Sequence, residues 1–227
     1  MLFGVSRCLL GIGTVSAALF AGGRALADDA RSLPPPRGLE LGVTLGIAHP
    51  GGAVGSGSAA TTPNVGDVAP TWLPIGLDGG YRLWSHAYVG AALEWGPAVA
   101  QADGSCGACS GGYDFQGRLE VRFYALPSKT FDPWASLGLG WEVLHLALGQ
   151  GSGGASATYD GPILGDLELG VDIRSRAFAV GPYFGFAVAE FVRHSLDPAP
   201  PGETSSIDGR TAHEWFRLGL RGTYGPW

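Results

Sequence analysis

The side chains best suited to acid–base or nucleophilic chemistry lie in three short stretches of this sequence. Glu142 and His145 are three residues apart, and His194–Ser195 and His213–Glu214 are adjacent pairs. A histidine that meets a hydroxyl and a carboxylate can activate a nucleophile for hydrolysis. On a β-strand, however, residues that are adjacent or three apart point to opposite faces. We therefore expect interfacial or solvated side chains here, and no enzyme.

The motif CGAC, with Cys106 and Cys109, is the second candidate for chemistry. Two cysteines at this spacing can supply a redox pair or half of a zinc site. The sequence has no second cysteine pair and no histidine close to the motif, and no strand-to-helix context surrounds it. We expect a small loop disulfide between Cys106 and Cys109 in an oxidising compartment, and neither a metal nor a cofactor.

The elements that must position these residues have a sequence period of two. In FQGRLEVRFYAL, residues 115–126, the odd positions from Phe115 to Phe123 are apolar or small. The even positions between them include Arg118, Glu120 and Arg122. Such alternation predicts a β-strand with two chemically opposed faces.

Eight segments alternate in this way: Arg37–His49, Trp72–Trp84, Ala87–Gly96, Phe115–Leu126, Trp134–His145, Ile163–Arg174, Phe178–Val188 and Glu214–Tyr224. Short turns at Ser85–His86, Pro127–Pro133 and Ser175–Arg176 alternate with long links at Pro50–Thr71, Pro97–Gly112, Gly149–Gly161 and Arg193–His213. In an up-and-down barrel, this order places every long loop at one end. The sequence therefore predicts an all-β fold, a closed antiparallel transmembrane barrel of about eight strands.

The polar parity of these segments combines Gly and Ala with single charges. They are Glu40, Asp78, Arg82, Glu94, Arg118, Glu120, Arg122, Glu142, Asp166, Glu168, Asp172, Arg174, Arg217 and Arg221. Small residues beside charges of both signs suit a narrow lumen, where buried charges must pair. We predict that the charges from Asp78 to Arg221 form a lumen network and that the apolar face meets lipid. Two alternatives are a narrow pore and a soluble, lipocalin-like barrel with Leu167, Leu169 and Val171 inside around an apolar ligand.

Aromatic residues cluster near the ends of the predicted strands: Trp72, Trp84, Trp95, Trp134, Trp215 and Trp227, with Tyr113, Tyr124 and Tyr224. Trp141, near the middle of a strand, is the exception. Aromatic side chains with one polar edge are typical of membrane interfaces. We expect the strand-end aromatics to form two interfacial belts.

The first 27 residues predict a secretory signal. Arg7 is followed by the apolar stretch Cys8–Gly23 and by Ala25–Leu26–Ala27, a cleavage signature that ends at Ala27. Residues 28–36 form a proline-rich periplasmic lead, and residues 37–227 form the barrel. The net charge of −6 becomes −8 once Arg7 and Arg24 are removed. An acidic chain without a basic run argues against nucleic acid as a partner.

Over residues 37–227 this pattern resembles the small eight-stranded outer-membrane barrels, the OmpA-like transmembrane domain and its OmpX-like relatives. The resemblance implies a bacterial outer membrane, lipid as surroundings, and assembly machinery that reads a terminal aromatic such as Trp227. It implies a non-enzymatic, structural or surface-interaction role through long outer loops, whose partner is unknown. An outer-membrane hydrolase that modifies lipid is the enzymatic alternative, and it requires a histidine, an acid and a hydroxyl on one outward patch.

Overall fold

A computed structural model of the chain describes residues 37–52, 65–68, 70–99, 109–127, 129–148, 155–175, 177–197, 204–206 and 212–225. The elements are β1 (Gly38–Gly52), α1 (Val65–Val68), β2 (Ile75–Trp84), β3 (Ala87–Pro97), β4 (Cys109–Tyr124), β5 (Phe131–Leu148), β6 (Ala155–Ser175), β7 (Phe178–Glu190), β8 (Arg193–Asp197), β9 (Thr204–Ser206) and β10 (Ala212–Tyr224). Among the described residues, no helix has the length and apolar character needed to cross a membrane.

Eight of the strands close into one antiparallel barrel. Their order around the ring is β1, β2, β3, β4, β5, β6, β7 and β10, and β10 pairs back onto β1, for example at Leu45 and Leu220. Each of the eight alternating segments corresponds to one of these strands, so the predicted closed, up-and-down barrel is confirmed. The short connections β2–β3, β4–β5 and β6–β7 join the strands at one end, here called the short-turn end, and the opposite end is the long-loop end.

Exposure alternates along the barrel strands with the predicted period. On β1, Leu39 and Leu41 are 72 % and 60 % exposed, whereas Glu40 between them is 1 % exposed. On β6, Leu167 and Leu169 are also exposed on the outside of the barrel. The lipocalin-like alternative, which needs these two leucines inside, is therefore wrong.

The outward apolar residues form a band of limited height. On β1 they run from Leu39 to Ile47, and the exposed His49 follows. At roughly 3.3 Å per residue and a typical tilt of about 40°, this stretch rises about 20 Å along the barrel axis. With the side chains at both margins, the height approaches the apolar band of about 25 Å that outer-membrane barrels present to lipid.

Strands β4, β5 and β6 are longer than the predicted segments and extend beyond them at the long-loop end. The predicted strand Ile163–Arg174 begins at Ala155 instead, and β8 pairs with this extension between residues 156 and 160. Strand β9 then pairs with β8. The link predicted from Arg193 to His213 thus contains a small hairpin, which the sequence pattern did not predict.

One predicted face assignment is wrong because the pairing shifts register. The pairing of β6 is irregular on both sides: with β7 it shifts between Ile163 and Gly165, and with β5 it shifts between Ile163 and Asp166, which lie opposite Gly140 and Gly138. As a result, Ile163 is 2 % exposed, while Leu164 takes the outward position. A single inserted residue reverses the parity of everything that follows it in a strand.

Several aromatics expected at the membrane interfaces lie inside the barrel instead. Trp72, Trp134, Trp215 and Tyr124 are each at most 4 % exposed. Each of these four has the parity of the charged residues in its own predicted segment, and that parity, rather than position near a strand end, determines its direction. Trp84, Trp95, Tyr113 and Tyr224 do face outward, as does Trp141, and their location at a membrane interface remains a prediction.

Candidate functional site

The lumen at the short-turn end contains a cluster of three arginines, Arg82, Arg122 and Arg221, around two carboxylates, Glu40 and Asp78. Glu40 accepts hydrogen bonds from Arg82 Nη2 at 2.8 Å, Arg221 Nη2 at 3.1 Å and the Tyr124 hydroxyl at 2.5 Å. Asp78 accepts from Arg221 Nη2 at 2.7 Å. Each hydrogen bond between a guanidinium and a carboxylate oxygen offsets part of the free-energy cost of removing both charges from water.

Aromatic rings pack against these guanidinium groups. The Arg82 guanidinium carbon lies 3.7 Å from the ring centroid of Tyr124. That of Arg122 lies 4.9 Å from both Tyr88 and Trp134. Cation–π contacts of this kind gain strength when the pair is desolvated. The inward-facing aromatics thus stabilise the buried charges.

A second cluster lies at mid-height and is built on two arginines. Arg118 contacts Glu94 and Asp166 at 3.3 Å each and Glu168 at 3.4 Å. Arg217 reaches Glu94 at 3.2 Å and also binds Asp166. The five groups come from β3, β4, β6 and β10, so this cluster links strands that are not neighbours in the barrel.

The layer nearest the long-loop end contains no arginine among its described members. His213 Nε2 lies 3.0 Å from Glu142 Oε2, and Trp215 Nε1 donates to Glu142 Oε1 at 3.0 Å. Gln116 donates to Asp114 at 2.7 Å and accepts from the Arg118 guanidinium at 3.2 Å, which connects this layer to the mid-height cluster.

An apolar cap closes the lumen above this layer. Trp72 and Val65, which precede β2, pack among buried residues of the barrel wall, and Trp72 meets Trp215 edge to face with ring centroids 5.7 Å apart. The other buried members of the cap are Ala48, Leu144, Leu146, Ile163, Ala187, Ala189 and Phe191. The long link between β1 and β2 thus sends a segment into the mouth of the barrel.

The lumen between these layers is filled by side chains. One polar cavity between the two arginine clusters, beside Asp78, Arg122 and Glu168, has a volume of about 10 Å³. That space suits about one water molecule. Side chains that fill the interior to this extent are expected for an eight-stranded barrel.

All thirteen charges predicted for the lumen lie inside the barrel or at its rim. Asp78, Arg82, Glu94, Arg118, Glu120, Arg122, Glu142, Asp166, Glu168, Asp172, Arg217 and Arg221 are buried, and Arg174 is half-buried and bound to Asp132 at the short-turn end. Arg122 Nη2 donates to Glu120 at 2.8 Å, and Trp134 Nε1 donates to Asp172 at 2.9 Å.

Sequence reasoning missed three titratable members of the lumen, Asp114, Asp132 and His213. The expectation that His213 is a solvated loop-edge residue is wrong, because the side chain is 0 % exposed and stacks on Phe191 at 4.1 Å. Parity would have predicted the inward direction of His213, because His213 has the same parity as Trp215 and Arg217 on β10.

Of the sequence candidates for chemistry, Glu142 and His145 lie on opposite faces of β5. His145 faces outward, where its Nδ1 lies 3.0 Å from the Thr158 hydroxyl and its ring stacks on Tyr113, whereas Glu142 faces the lumen. In the described part of the chain, no cluster of three or more His, Cys, Asp or Glu side chains is arranged to hold a metal.

Cys106 and the side chain of Cys109 lie outside the described residues, so the Cys106–Cys109 disulfide remains a prediction.

Comparison with known proteins gives a match in fold only. No family model and no curated protein matches the sequence. The outer membrane protein AlkL, solved in DMPC lipid bilayers, is 13% identical with a TM-score of 0.51, covering 88% of this chain and 95% of its own. Neisserial surface protein A is 8% identical, with a TM-score of 0.49 and coverages of 83% and 96%. OprG from Pseudomonas aeruginosa is 12% identical, with a TM-score of 0.46 and coverages of 85% and 98%.

The likeness to AlkL shows that this chain has the fold of an outer-membrane barrel. The inverted distribution of residues, apolar outside and charged inside, agrees with that fold independently of sequence identity. The predicted fold class, an eight-stranded transmembrane barrel, is therefore confirmed.

Proposed function

We propose that this protein is a non-enzymatic barrel of the bacterial outer membrane, with a closed lumen and a surface role at the long-loop end. One observation carries the proposal: the outside of the barrel is an apolar band, whereas the lumen is filled by ion pairs. The band includes Leu119, 72 % exposed, next to Glu120, 5 % exposed. An apolar surface of this extent is unstable in water and stable in lipid.

The closed lumen is supported by three successive layers of contacts. The short-turn cluster, the mid-height cluster and the Glu142–His213 layer each cross the barrel, and the cap with Trp72 covers them. An ion that traversed this path would have to break several buried ion pairs. This arrangement favours a structural barrel over the narrow pore that the sequence also allowed.

The non-enzymatic part of the proposal rests on the outward surface around His145. A hydrolase acting on lipid requires a histidine, a hydroxyl and an acid together on this surface. His145 has a hydroxyl partner in Thr158, but Glu142, the nearest acidic residue along β5, points into the lumen, and the outward Asp160 on β6 is bound by Arg193 Nε at 2.8 Å. The described contacts thus join His145 to a hydroxyl but not to an acid.

Cell fractionation with a gel shift tests the placement in the membrane. We expect the protein in the outer-membrane fraction, with a different mobility on a denaturing gel before and after boiling. A closed barrel resists the detergent until it is heated, which is the reason for the shift. Recovery in the soluble periplasmic fraction would contradict the proposal.

Two further measurements test the closed lumen and the absence of catalysis. In planar lipid bilayers we expect no stepwise conductance from the purified protein, and regular single-channel steps would favour the pore instead. Mass spectra of outer-membrane lipids from cells with and without the protein should be identical. A lipid species that loses an acyl chain only when the protein is present would show that it is a hydrolase.

A further inference from the structure

The outward surface changes character on one side of the long-loop end. On β5, Leu137, Leu139 and Trp141 are exposed and belong to the apolar band. Next to Trp141, β6 and β8 rise above the band and carry polar residues in the outward positions. The residues concerned, here called the rim patch, are Tyr113, Trp141, His145, Thr158, Asp160, Arg193 and Ser195.

Strand pairing brings the rim patch together across four strands. His145 on β5 is opposite Tyr113 on β4 and opposite Thr158 on β6. Thr158 is in turn opposite Ser195 on β8, so these four residues form one continuous row. Because directly opposed residues share a face of the sheet, the row presents two hydroxyls, a phenol and an imidazole to the same side.

Arg193 is the cation of the rim patch and is held from two directions. Its Nε donates to Asp160 Oδ1 at 2.8 Å, and its guanidinium carbon lies 5.6 Å from the ring centroid of Trp141. The side chain nevertheless remains 55% exposed. A guanidinium that is positioned in advance, with donors still accessible, loses less conformational entropy when it binds an oxyanion.

The position of the patch suggests the kind of ligand that fits it. Its polar row lies directly above Trp141, and the exposed leucines of β5 continue below the ring. A molecule that covers both surfaces must have an oxyanion with hydrogen-bonding neighbours at one end and an apolar chain at the other. Arginine beside an aromatic ring and hydroxyl groups is well suited to the oxygens of a phosphate.

We propose that the rim patch binds the phosphate-bearing headgroup of a lipid whose acyl chain lies against Leu137 and Leu139. Arg193 donates to the phosphate oxygens, the row from Tyr113 to Ser195 hydrogen-bonds the rest of the headgroup, and Trp141 marks the boundary with the acyl chain. This inference rests on the proposed outer-membrane placement. Free inorganic phosphate shares the oxygen chemistry but lacks the chain.

Calorimetric titration of the full chain in an uncharged detergent tests the proposal with three probes. These are dihexanoyl phosphatidic acid, dihexanoylglycerol, which lacks the phosphate, and inorganic phosphate. We expect phosphatidic acid to bind most tightly. Loss of a charge-assisted hydrogen bond in Arg193→Gln should weaken that binding on the order of tenfold. Trp141→Leu keeps an apolar wall without the ring and should weaken it about threefold.

Lys129→Gln is the matched control, because it removes one exposed positive charge at the short-turn end. Its binding should equal that of the unmodified protein, and all variants should retain the heat-dependent gel shift. Equal affinities of Arg193→Gln and the unmodified protein would overturn the proposal, as would equally tight binding of inorganic phosphate. If binding fails while the protein fractionates with the outer membrane, the rim-patch inference alone falls and the proposed function stands.

Discussion

The Nε2 atom of His213 on β10 lies 3.0 Å from a carboxylate oxygen of Glu142 on β5, so two strands that are not neighbours meet across the lumen. The other oxygen of the same carboxylate accepts from Trp215 Nε1 at 3.0 Å. Both His213 and Glu142 are fully buried beneath the apolar cap. The contact thus joins the polar lumen to the cap that closes it.

Replacing Glu142 should destabilise the barrel according to how many hydrogen bonds are lost. Glu142→Leu leaves the buried His213 and Trp215 nitrogens without their hydrogen-bond partner, at a cost of about 1–3 kcal/mol for each unsatisfied group. Glu142→Gln retains a carbonyl oxygen for Trp215 and should cost less. Urea unfolding in lipid vesicles, followed by tryptophan fluorescence, measures both. Equal losses for the two variants would contradict the assigned contacts.

Arg118 should be among the most sensitive positions in the lumen. Arg118→Met removes the partner of Glu94, Asp166 and Glu168, and breaking a buried ion pair from one side costs about 3–5 kcal/mol. The same unfolding measurement applies. Lys129→Met, at an exposed position, serves as the control and should unfold like the unmodified protein. A neutral Arg118→Met variant would mean that the remaining arginines satisfy those carboxylates.

A charge on the apolar band should distinguish a lipid-facing surface from a water-facing one. Leu119 and Leu196 are both exposed, but Leu119 lies in the band on β4 and Leu196 on β8 beyond it. In lipid vesicles, Leu119→Arg should cost about 2–4 kcal/mol if the position is near the bilayer midplane. Leu196→Arg should have little effect. Equal stability of the two variants would indicate that the band does not contact lipid.

Gly181 on β7 lies so close to β6 that a larger residue does not fit without movement of the backbone. A Cβ atom added to Gly181 would lie 1.6 Å from the carbonyl oxygen of Val171, which can move only with the backbone of β6. We expect Gly181→Ala to lose about 1–3 kcal/mol from overpacking. Gly222→Ala is the matched control, because nothing lies within 4 Å of its added Cβ. Refolding yield and urea midpoint of both variants provide the comparison, and similar values would refute the steric argument.

Intact-protein mass spectrometry tests the predicted processing and the predicted disulfide together. The exported protein should begin at Asp28, after removal of residues 1–27, and should lack the two hydrogens that oxidation of Cys106 and Cys109 removes. Reduction followed by alkylation should then label both cysteines, whereas alkylation alone should label neither. Labelling without reduction would show free thiols, and a mass that includes residues 1–27 would show that no cleavage occurred.

The sequence alone determined the main architecture, because the period of two assigns each side chain to a face without any knowledge of its neighbours. Leu119 and Glu120 were assigned to opposite faces correctly from this pattern, and the strict alternation of short and long links gave the order of a closed barrel. Parity also contained the correct direction of Trp134, Trp215 and His213, although their positions near strand ends suggested an interface or solvent.

Only the tertiary structure decided which charges meet and where parity breaks. Pairs such as Glu94 with Arg217 join residues 123 positions apart, and their contact depends on the stagger of the strands around the ring. The inserted residue near Leu164 turns Ile163 inward, since strand pairing selects the position of a bulge through contacts on both sides. The rim patch likewise exists only because β8 folds back onto β6. A local pattern encodes the face of a residue, whereas its height and its partners are properties of the closed barrel.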